Sequence, residues 1–455
     1  MSVLQTAGGS GSSGGSAGGK AEGTLAIDGG MPVRTTPLPT GFFGMRLVGE
    51  EEKAEVLAAV EGRSLARFSG MTPPTRVIAF ERELCRRLGH RYALGVTSGT
   101  AALECALVGL GIGPGDEVIM PALNFISSPE AVLRFGAVPV FAEADESFGL
   151  DPEDVERRIT PRTRAIMPVH IHGAACRIDA IVSIARRHDL RVLENGAWSM
   201  GARFHGRAIG AFGDCGIHSL HSVKVITAGE GGVVVTQDPL VYERAMRFHD
   251  HGNFRLPSIP HAMGEAETES PAEPALEPSV EPFMGAAYRM NELSGAIALA
   301  QVRKLDEVLR RTQRAQRQIL AGLRDVAGNQ RSAPFKLRDV PDPAGDVGIA
   351  AGVIFPTAEK TKAYQAALRA EGIAIGLVYG AKPVYDAPAW RQLRPPWTNG
   401  APLLRGPAPS YEGSLCPRTE DLQARALMLS ITPDYTDQDA QDVVRAFANV
   451  VAALR

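Results

Sequence analysis

Cysteine is scarce in this chain: there are five in 455 residues (Cys85, Cys105, Cys176, Cys215 and Cys416), odd in number and with no Cys-x-x-Cys pair. That pattern offers neither a disulfide framework nor a metal site of the zinc type, and it suits thiols kept reduced in a cytoplasm. Long apolar runs are lacking as well, since none approaches the roughly 18 residues of a membrane span. Residues 1–22 are mostly Gly and Ser, without the basic start and apolar stretch of a signal peptide, and read as a disordered tail. No sign of charge dominates either. Lys and Arg number 48 against 51 Asp and Glu, and the formal charge of −3 removes any general electrostatic case for nucleic acid or an anionic membrane as partner. A small molecule is the expected partner.

What is present is ordinary for a globular protein, 44% hydrophobic and 22% charged, in a length that allows two domains with a site between them. After helical stretches at Glu50–Gly62 and Arg76–Leu88, short apolar runs alternate with helical patterns. The runs are Ala93–Val96, Glu117–Met120, Val138–Phe141, Ala165–Val169 and Arg191–Leu193, with helices from Thr100, after Ser128 and near Ile178–His188. This alternation predicts an α/β fold, a parallel sheet covered by helices, whose ligands gather at the carboxyl ends of the strands.

The segment 256–282 holds six Glu, many Pro and no Lys or Arg, so it is expected to be a mobile acidic loop. Met290–Leu309 reads as one helix, with Leu293, Ile297, Val302, Leu305 and Leu309 on an apolar side. The reading divides the chain into a large domain with its N-terminal arm, 23–312, and a smaller C-terminal domain, 313–455. The latter has strand candidates at Gly352–Phe355 and Leu427–Ile431 and a closing helix at Asp437–Leu454.

Two segments carry chemistry. Ser98-Gly99-Thr100 follows a strand candidate and opens an apolar helix, so backbone N–H groups and hydroxyls meet at a helix N-terminus, a setting that suits a phosphate; the bland alternative is simple helix capping. Lys224 ends His218-Ser219-Leu220-His221-Ser222-Val223-Lys224, just before Gly229-Glu230-Gly231-Gly232. Lysines are ordinarily solvated, but one placed beside a phosphate cradle is a candidate for imine formation with a carbonyl cofactor.

The ordered runs Thr97-Ser98-Gly99-Thr100-Ala101-Ala102-Leu103, Gly113-Pro114-Gly115-Asp116-Glu117-Val118, Pro168-Val169-His170, Gly210-Ala211-Phe212-Gly213-Asp214, Gly229-Glu230-Gly231-Gly232, Tyr288-Arg289-Met290-Asn291-Glu292-Leu293 and Cys416-Pro417-Arg418-Thr419-Glu420 make residues 24–455 resemble the DegT-type sugar and cyclitol aminotransferases. The resemblance implies the fold type I architecture of pyridoxal 5'-phosphate enzymes: a large domain with a mainly parallel seven-stranded sheet, and a smaller C-terminal α/β domain. It implies that Lys224 carries the cofactor as a Schiff base, that Ser98, Gly99, Thr100 and Ser219 hold its phosphate, and that Phe125 lies over its ring, where ordinary core packing is the alternative. His170, Asn195 and Trp198 fall in the cofactor's surroundings. Arg289 and Asn291 fall in the segment that reaches a neighbouring subunit's site, which implies a homodimer with shared active sites.

Three residues depart from the family pattern. Asn195, in Glu194-Asn195-Gly196-Ala197-Trp198, stands where relatives have an aspartate that pairs with the protonated ring nitrogen. An amide can accept from N–H or donate to bare nitrogen, and either way the ring becomes a weaker electron sink. Trp198 replaces a polar partner of the ring oxygen, and Ala287 replaces an Asn that helps to bind phosphate. The leading reading is transfer of an amino group from glutamate or glutamine to a keto-sugar or keto-cyclitol, in the manner of members from antibiotic pathways that Arg67-Phe68-Ser69-Gly70 resembles. The alternatives are altered, non-transaminating chemistry on the same cofactor, or an inactive partner of an active homologue.

Overall fold

The computed structural model describes residues 24–254, 278–328, 333–394 and 410–454. The expected tail 1–22 and most of the expected acidic loop, 256–277, lie outside the described residues. Ser279, at the described end of that loop, donates its backbone N–H and its hydroxyl to Glu243.

Seven short strands form the central sheet: β1 (Tyr92–Val96), β2 (Glu117–Pro121), β3 (Val138–Ala142), β4 (Thr163–Ile166), β5 (Arg191–Asn195) and, after a small hairpin of β6 (Arg203–Phe204) and β7 (Arg207–Ala208), β8 (Cys215–Ser219) and β9 (Gly232–Thr236). Their order is β1-β9-β8-β5-β4-β2-β3. Only β9 runs against its neighbours, so six carboxyl ends share one edge. The sheet is thus mainly parallel and seven-stranded, as expected. Runs such as Glu-Val-Ile-Met-Pro in β2 and Gly-Val-Val-Val-Thr in β9 are buried throughout, which fits a sheet covered on both faces.

Four helices before and among the first strands matter below: α1 (Glu50–Glu61), α2 (Arg76–Leu88), α3 (Gly99–Leu110) and α4 (Ser127–Arg134). A second, antiparallel sheet of β10 (Lys336–Leu337), β11 (Ala350–Ile354), β12 (Ile375–Leu377) and β13 (Ala426–Ser430) has the order β10-β11-β13-β12. Its core joins Phe335, Phe355 and Phe447 to Leu25 and Leu38 from the arm. No helix among the described residues is long and apolar enough to cross a membrane.

Two expectations are corrected. Met290–Leu309 is two helices, Glu292–Arg303 and Leu305–Ala327, with the break at Lys304. The Lys304 ammonium donates to the Leu47 carbonyl and to Glu52 at the end of the first helix, and Asp306 and Glu307 open the second, so charges complementary to both helix dipoles mark the restart. The apolar spacing gave no warning, because Val302, Leu305 and Val308 are buried on both sides of the break. The run Ala165–Val169 leaves the ladder after Ile166. Pro168 has no N–H to give to a ladder, while its carbonyl accepts from Asn195 N–H at 2.9 Å.

Candidate active site

The carboxyl edge of the sheet brings four loops together. After β1, Ser98 caps α3 by accepting from the Ala101 N–H at 3.0 Å, and Gly99 begins the helix. A Cβ at Gly99 would lie 3.0 Å from the Ser219 Cβ and 3.1 Å from its Oγ, so the last residue of β8 sits directly against the start of α3. A Cβ at Gly232 would collide with the Ser98 carbonyl. Glycine at both positions lets the first turn of α3 lie close to two hydroxyls, with no side chain on Gly99 itself, and Thr100 follows, partly exposed. This is the chemistry of an anion cradle.

Lys224 belongs to the loop between β8 and β9. That loop is tied across its base by Leu220 N–H to Gly231 O and Ala228 N–H to Leu220 O, each 2.8 Å, and the Lys224 carbonyl accepts from Gly44 N–H at 3.1 Å. The amine points inward, and its Nζ lies 3.3 Å from the centroid of the Trp198 ring. Burial pulls its pKa down to about 7, so near neutral pH about half the amines are uncharged. A solvated lysine would offer on the order of one in a few thousand.

Trp198 donates its Nε1–H to the Tyr379 hydroxyl at 3.0 Å, and His172 packs against both rings at centroid distances of 5.3 and 5.9 Å. Tyr379 comes from the turn after β12, with φ of +47°. His172 is pushed down to about 3 by burial, with Arg338 and Lys224 adding to the effect, so it stays neutral.

Asn195 ends β5 and is buried. Its Oδ1 accepts from the Ala197 N–H at 3.0 Å and its Nδ2 donates to Ser128 Oγ at 2.9 Å. Ser128 in turn donates to Asn124 Oδ1 at 3.0 Å. Phe125, next to Asn124 after β2, is 55% exposed at this edge.

The remaining residues singled out from the sequence adjoin this group through the backbone, His170 by its N–H to the Asn195 carbonyl at 2.9 Å and the Arg289 segment by the Tyr288 carbonyl, which accepts from the Thr97 N–H at 3.0 Å. His170 is fully buried and its Nδ1 accepts from the Cys176 N–H, so the proton is on Nε2, 3.0 Å from Glu194. Burial alone would raise the Glu194 pKa, but His170 and the N–H groups of Gly213 and Gly210 hold it below its ordinary value. Arg289 pairs with Asp250 and bridges to Val96, and Asn291 caps the helix Glu292–Arg303 through Ser294 N–H at 2.8 Å. Ala287 forms a bridge with Asp250.

Sequence reasoning missed four residues of this region: Asn124, Ser128, His172 and Tyr379. Asn124 immediately precedes Phe125, and Ser128 has the ordinary look of a first-turn serine. Tyr379 carried no local signal, because only the folding of the second sheet onto the first brings it to Trp198.

Comparison with known proteins adds to this geometry. The sequence pattern of the DegT/DnrJ/EryC1/StrS aminotransferase family matches residues 48–448. The chain is 38% identical over 234 residues to GDP-perosamine synthase of Caulobacter vibrioides, covering 51% of this chain and 58% of the relative. It is 34% identical over 295 residues to L-glutamine:2-deoxy-scyllo-inosose aminotransferase of Micromonospora echinospora, covering 62% and 64%. Each match spans less than two thirds of the relative's length. Among solved structures, DesV of S. venezuelae, in complex with a ketimine intermediate, gives a TM-score of 0.71 at 30% identity over 88% of this chain and 94% of that one.

Proposed function

Because the chain belongs to the DegT/DnrJ/EryC1/StrS aminotransferase family, we propose that it moves an amino group from glutamate or glutamine to a keto-sugar or keto-cyclitol, with pyridoxal phosphate carried on Lys224. One observation carries the reading: a buried amine with its pKa lowered to about 7 lies in the loop after Ser219, whose side chain adjoins the glycine-opened N-terminus of α3. The residues present fit the cofactor. Its anionic phosphate matches the N–H groups and hydroxyls of Ser98, Gly99, Thr100 and Ser219, and its carbonyl matches an amine that is half unprotonated near neutral pH.

Bound there, pyridoxal phosphate would supply a carbonyl that exchanges with amines and a ring that withdraws electrons from the substrate carbon. Lys224 holds that carbonyl between turnovers and, as a free amine, moves a proton on and off the carbon that bears the nitrogen. Asn195 would meet the ring nitrogen and Phe125 would cover the ring. Trp198 and Tyr379 wall the side from which Lys224 approaches and keep water from it. His170, expected beside the cofactor, would orient the strand end that carries Asn195, through Glu194 and through its N–H to the Asn195 carbonyl.

The relatives' names, a GDP-sugar synthase and an inosose aminotransferase, support a sugar or cyclitol acceptor. A homodimer with Arg289 and Asn291 serving the partner's site is part of the proposal. The exposed apolar side chains Phe42, Met45, Leu57 and Val60, on and before α1, support a covering partner. Five free thiols suit a reducing, cytoplasmic setting.

Borohydride reduction of the cofactor-loaded protein, followed by peptide mapping, should place the pyridoxyl label on Lys224, and glutamate or glutamine should convert the bound cofactor to its amine form. A label on another lysine overturns the assignment. Loss of the cofactor's charged ring partner at Asn195 favours the second reading, altered chemistry on the same cofactor, and conversion by neither donor would select it.

A further inference from the structure

We propose that Gly44 is a positioning residue for Lys224, and that the arm segment 40–47 carrying it is a strap between the lysine's loop and the second sheet. This rests on the cofactor reading above, in which Lys224 forms the imine, and goes beyond it by naming what holds the lysine's own backbone.

The Gly44 N–H is given to the carbonyl of Lys224 itself at 3.1 Å. Within its loop Lys224 bonds only locally, its N–H to the His221 carbonyl at 2.9 Å, so among the described residues Gly44 is the link from the lysine's backbone to another segment. Gly44 is buried and has no room for a side chain. A Cβ there would lie 2.6 Å from the Ile226 Cα, 2.9 Å from the Ile226 carbonyl carbon and 2.7 Å from the Gln301 Oε1. Two of these atoms are backbone of the Lys224 loop, and the Ile226 side chain is locked in the core, so the loop cannot give way cheaply. Gly44 has no left-handed φ, so its lack of a side chain serves this close approach and not a turn.

The arm is fastened on both sides of that contact. Phe43 is buried in one core with Val225 and Ile226, and the Leu47 carbonyl accepts from the Lys304 ammonium at 2.8 Å. On the other side lies the second sheet. The Gly41 N–H donates to the Oγ of Ser430, the last residue of β13, at 3.3 Å, and Arg46 reaches Asp434 just beyond that strand at 2.7 Å. The same guanidinium donates to the carbonyls of Thr40 and Gly41, each at 3.0 Å. Between them Phe42 is held at a left-handed φ of +54°, a conformation that persists only where the surroundings impose it. Arg46 thus pins a turn whose following residues press on the Lys224 peptide, and a shift of either sheet is passed to the lysine through them. The bland reading, that Gly44 merely docks the arm, predicts a loss of stability with no effect particular to the amine.

The test uses the full-length protein freed of cofactor. Titration with pyridoxal phosphate reads the imine by its absorbance, and calorimetric titration with pyridoxine phosphate, an alcohol in place of the carbonyl, reads the rest of the site. Gly44→Ala should weaken imine formation by at least about tenfold, because small misplacements of a reacting group carry penalties of that size, and should leave pyridoxine phosphate binding unchanged. Arg46→Ala should act in the same sense and by less. Phe447→Leu, in the core of the second sheet, is the control for lost stability and should change neither titration. An unchanged imine in folded Gly44→Ala, or an equal loss with both ligands in either variant, overturns the proposal. An unchanged imine in Arg46→Ala overturns the strap, whether or not Gly44→Ala folds. These outcomes leave the functional reading standing as long as the wild type forms its imine on Lys224. No imine in the wild type, or a borohydride label on another lysine, overturns that reading and this inference with it.

Discussion

The Lys224 Nζ rests 3.3 Å from the centroid of the Trp198 indole, whose own N–H is already given to Tyr379 at 3.0 Å. From the sequence, Trp198 was a bulky donor placed where relatives hold a polar partner of the cofactor's ring oxygen. Its donor is engaged, so the indole offers its face, and that face is turned to the amine. An ammonium over an indole gains about 0.5–2 kcal/mol, which partly offsets the burial that depresses the Lys224 pKa. Trp198→Leu should therefore lower that pKa further, by about half a unit to one unit, read from the pH dependence of imine formation with pyridoxal phosphate. Tyr379→Phe should leave the lysine's titration nearly in place, blue-shift the tryptophan emission and cost about 1–3 kcal/mol of stability through the unpartnered indole N–H. Equal titrations in wild type and Trp198→Leu would separate the ring from the amine's energetics.

A pH-dependent stability follows from the same lysine in the cofactor-free protein. Its pKa is about 7 in the folded chain against an ordinary value of 10.5. Between these limits the unfolded state binds more protons than the folded state, so stability rises with pH across the window. The destabilisation is greatest below pH 7, where the folded amine must also be charged. Lys224→Met should raise stability by about 1–3 kcal/mol below pH 7, and the gain should fade towards pH 10.5. Thermal melting of both proteins at the two ends of that range checks it; a gain independent of pH would assign the effect to packing instead.

Glu194 is the structural counterweight. Its Oε1 accepts from Phe212 and Gly213, and its Oε2 from Gly210 and His170. Either orientation of a glutamine there would set an NH2 against donors, so Glu194→Gln should cost about 2–4 kcal/mol. Because the folded pKa lies below the ordinary value of 4.5, this stabilisation is fully present above that pH and is lost as pH falls through the lowered folded value. Denaturant unfolding near neutral pH should show the loss, while the cofactor affinity of the folded variant stays within about threefold of wild type if His170 acts only through Glu194. A collapse of cofactor affinity at unchanged stability would put His170 back among the cofactor's contacts.

How far the sequence carried the structure depended on how local the cause was. The strands from β1 to β5 were legible as short apolar runs between helical patterns, and the glycine-opened start of α3 and the loop of Lys224 were legible as motifs. Those features are decided within a few residues. The helix break at Lys304 was not legible from apolar spacing, because both helices bury the same side, though the charge reversal from Lys304 to Asp306 and Glu307 was there to be read. The partner of the Asn195 amide nitrogen was beyond sequence in another way. Its oxygen is set locally by the Ala197 N–H two residues on, but its Nδ2 meets Ser128 across 67 positions of sequence, and only the folded sheet brings those two segments together. Tyr379 meets Trp198 across 181 positions of sequence, and no local pattern encodes such a meeting.

Asn195 precedes Gly196, a pair prone to deamidation in a free chain because the glycine N–H can approach the amide carbon without hindrance. Conversion would put an aspartate where the family has one and remove the N–H that bonds Ser128. The folded protein opposes this in three ways. The Gly196 N–H, the would-be nucleophile, is held by the Ile217 carbonyl at 2.8 Å. Both ends of the Asn195 side chain are bonded, to Ala197 and to Ser128. The space about Gly196 is also closed, since a Cβ there would lie 2.7 Å from the His218 ring. Reaction then requires opening of the strand end, and its rate should scale with the open population. For a chain of ordinary stability that population is on the order of one in a thousand or less. Peptide mass spectrometry should therefore find position 195 still Asn in native protein after an incubation that converts most of the same peptide in denaturant. Comparable conversion in the two samples would mean that this edge of the sheet opens freely, and Asn195 could not then keep its bonds to Ala197 and Ser128.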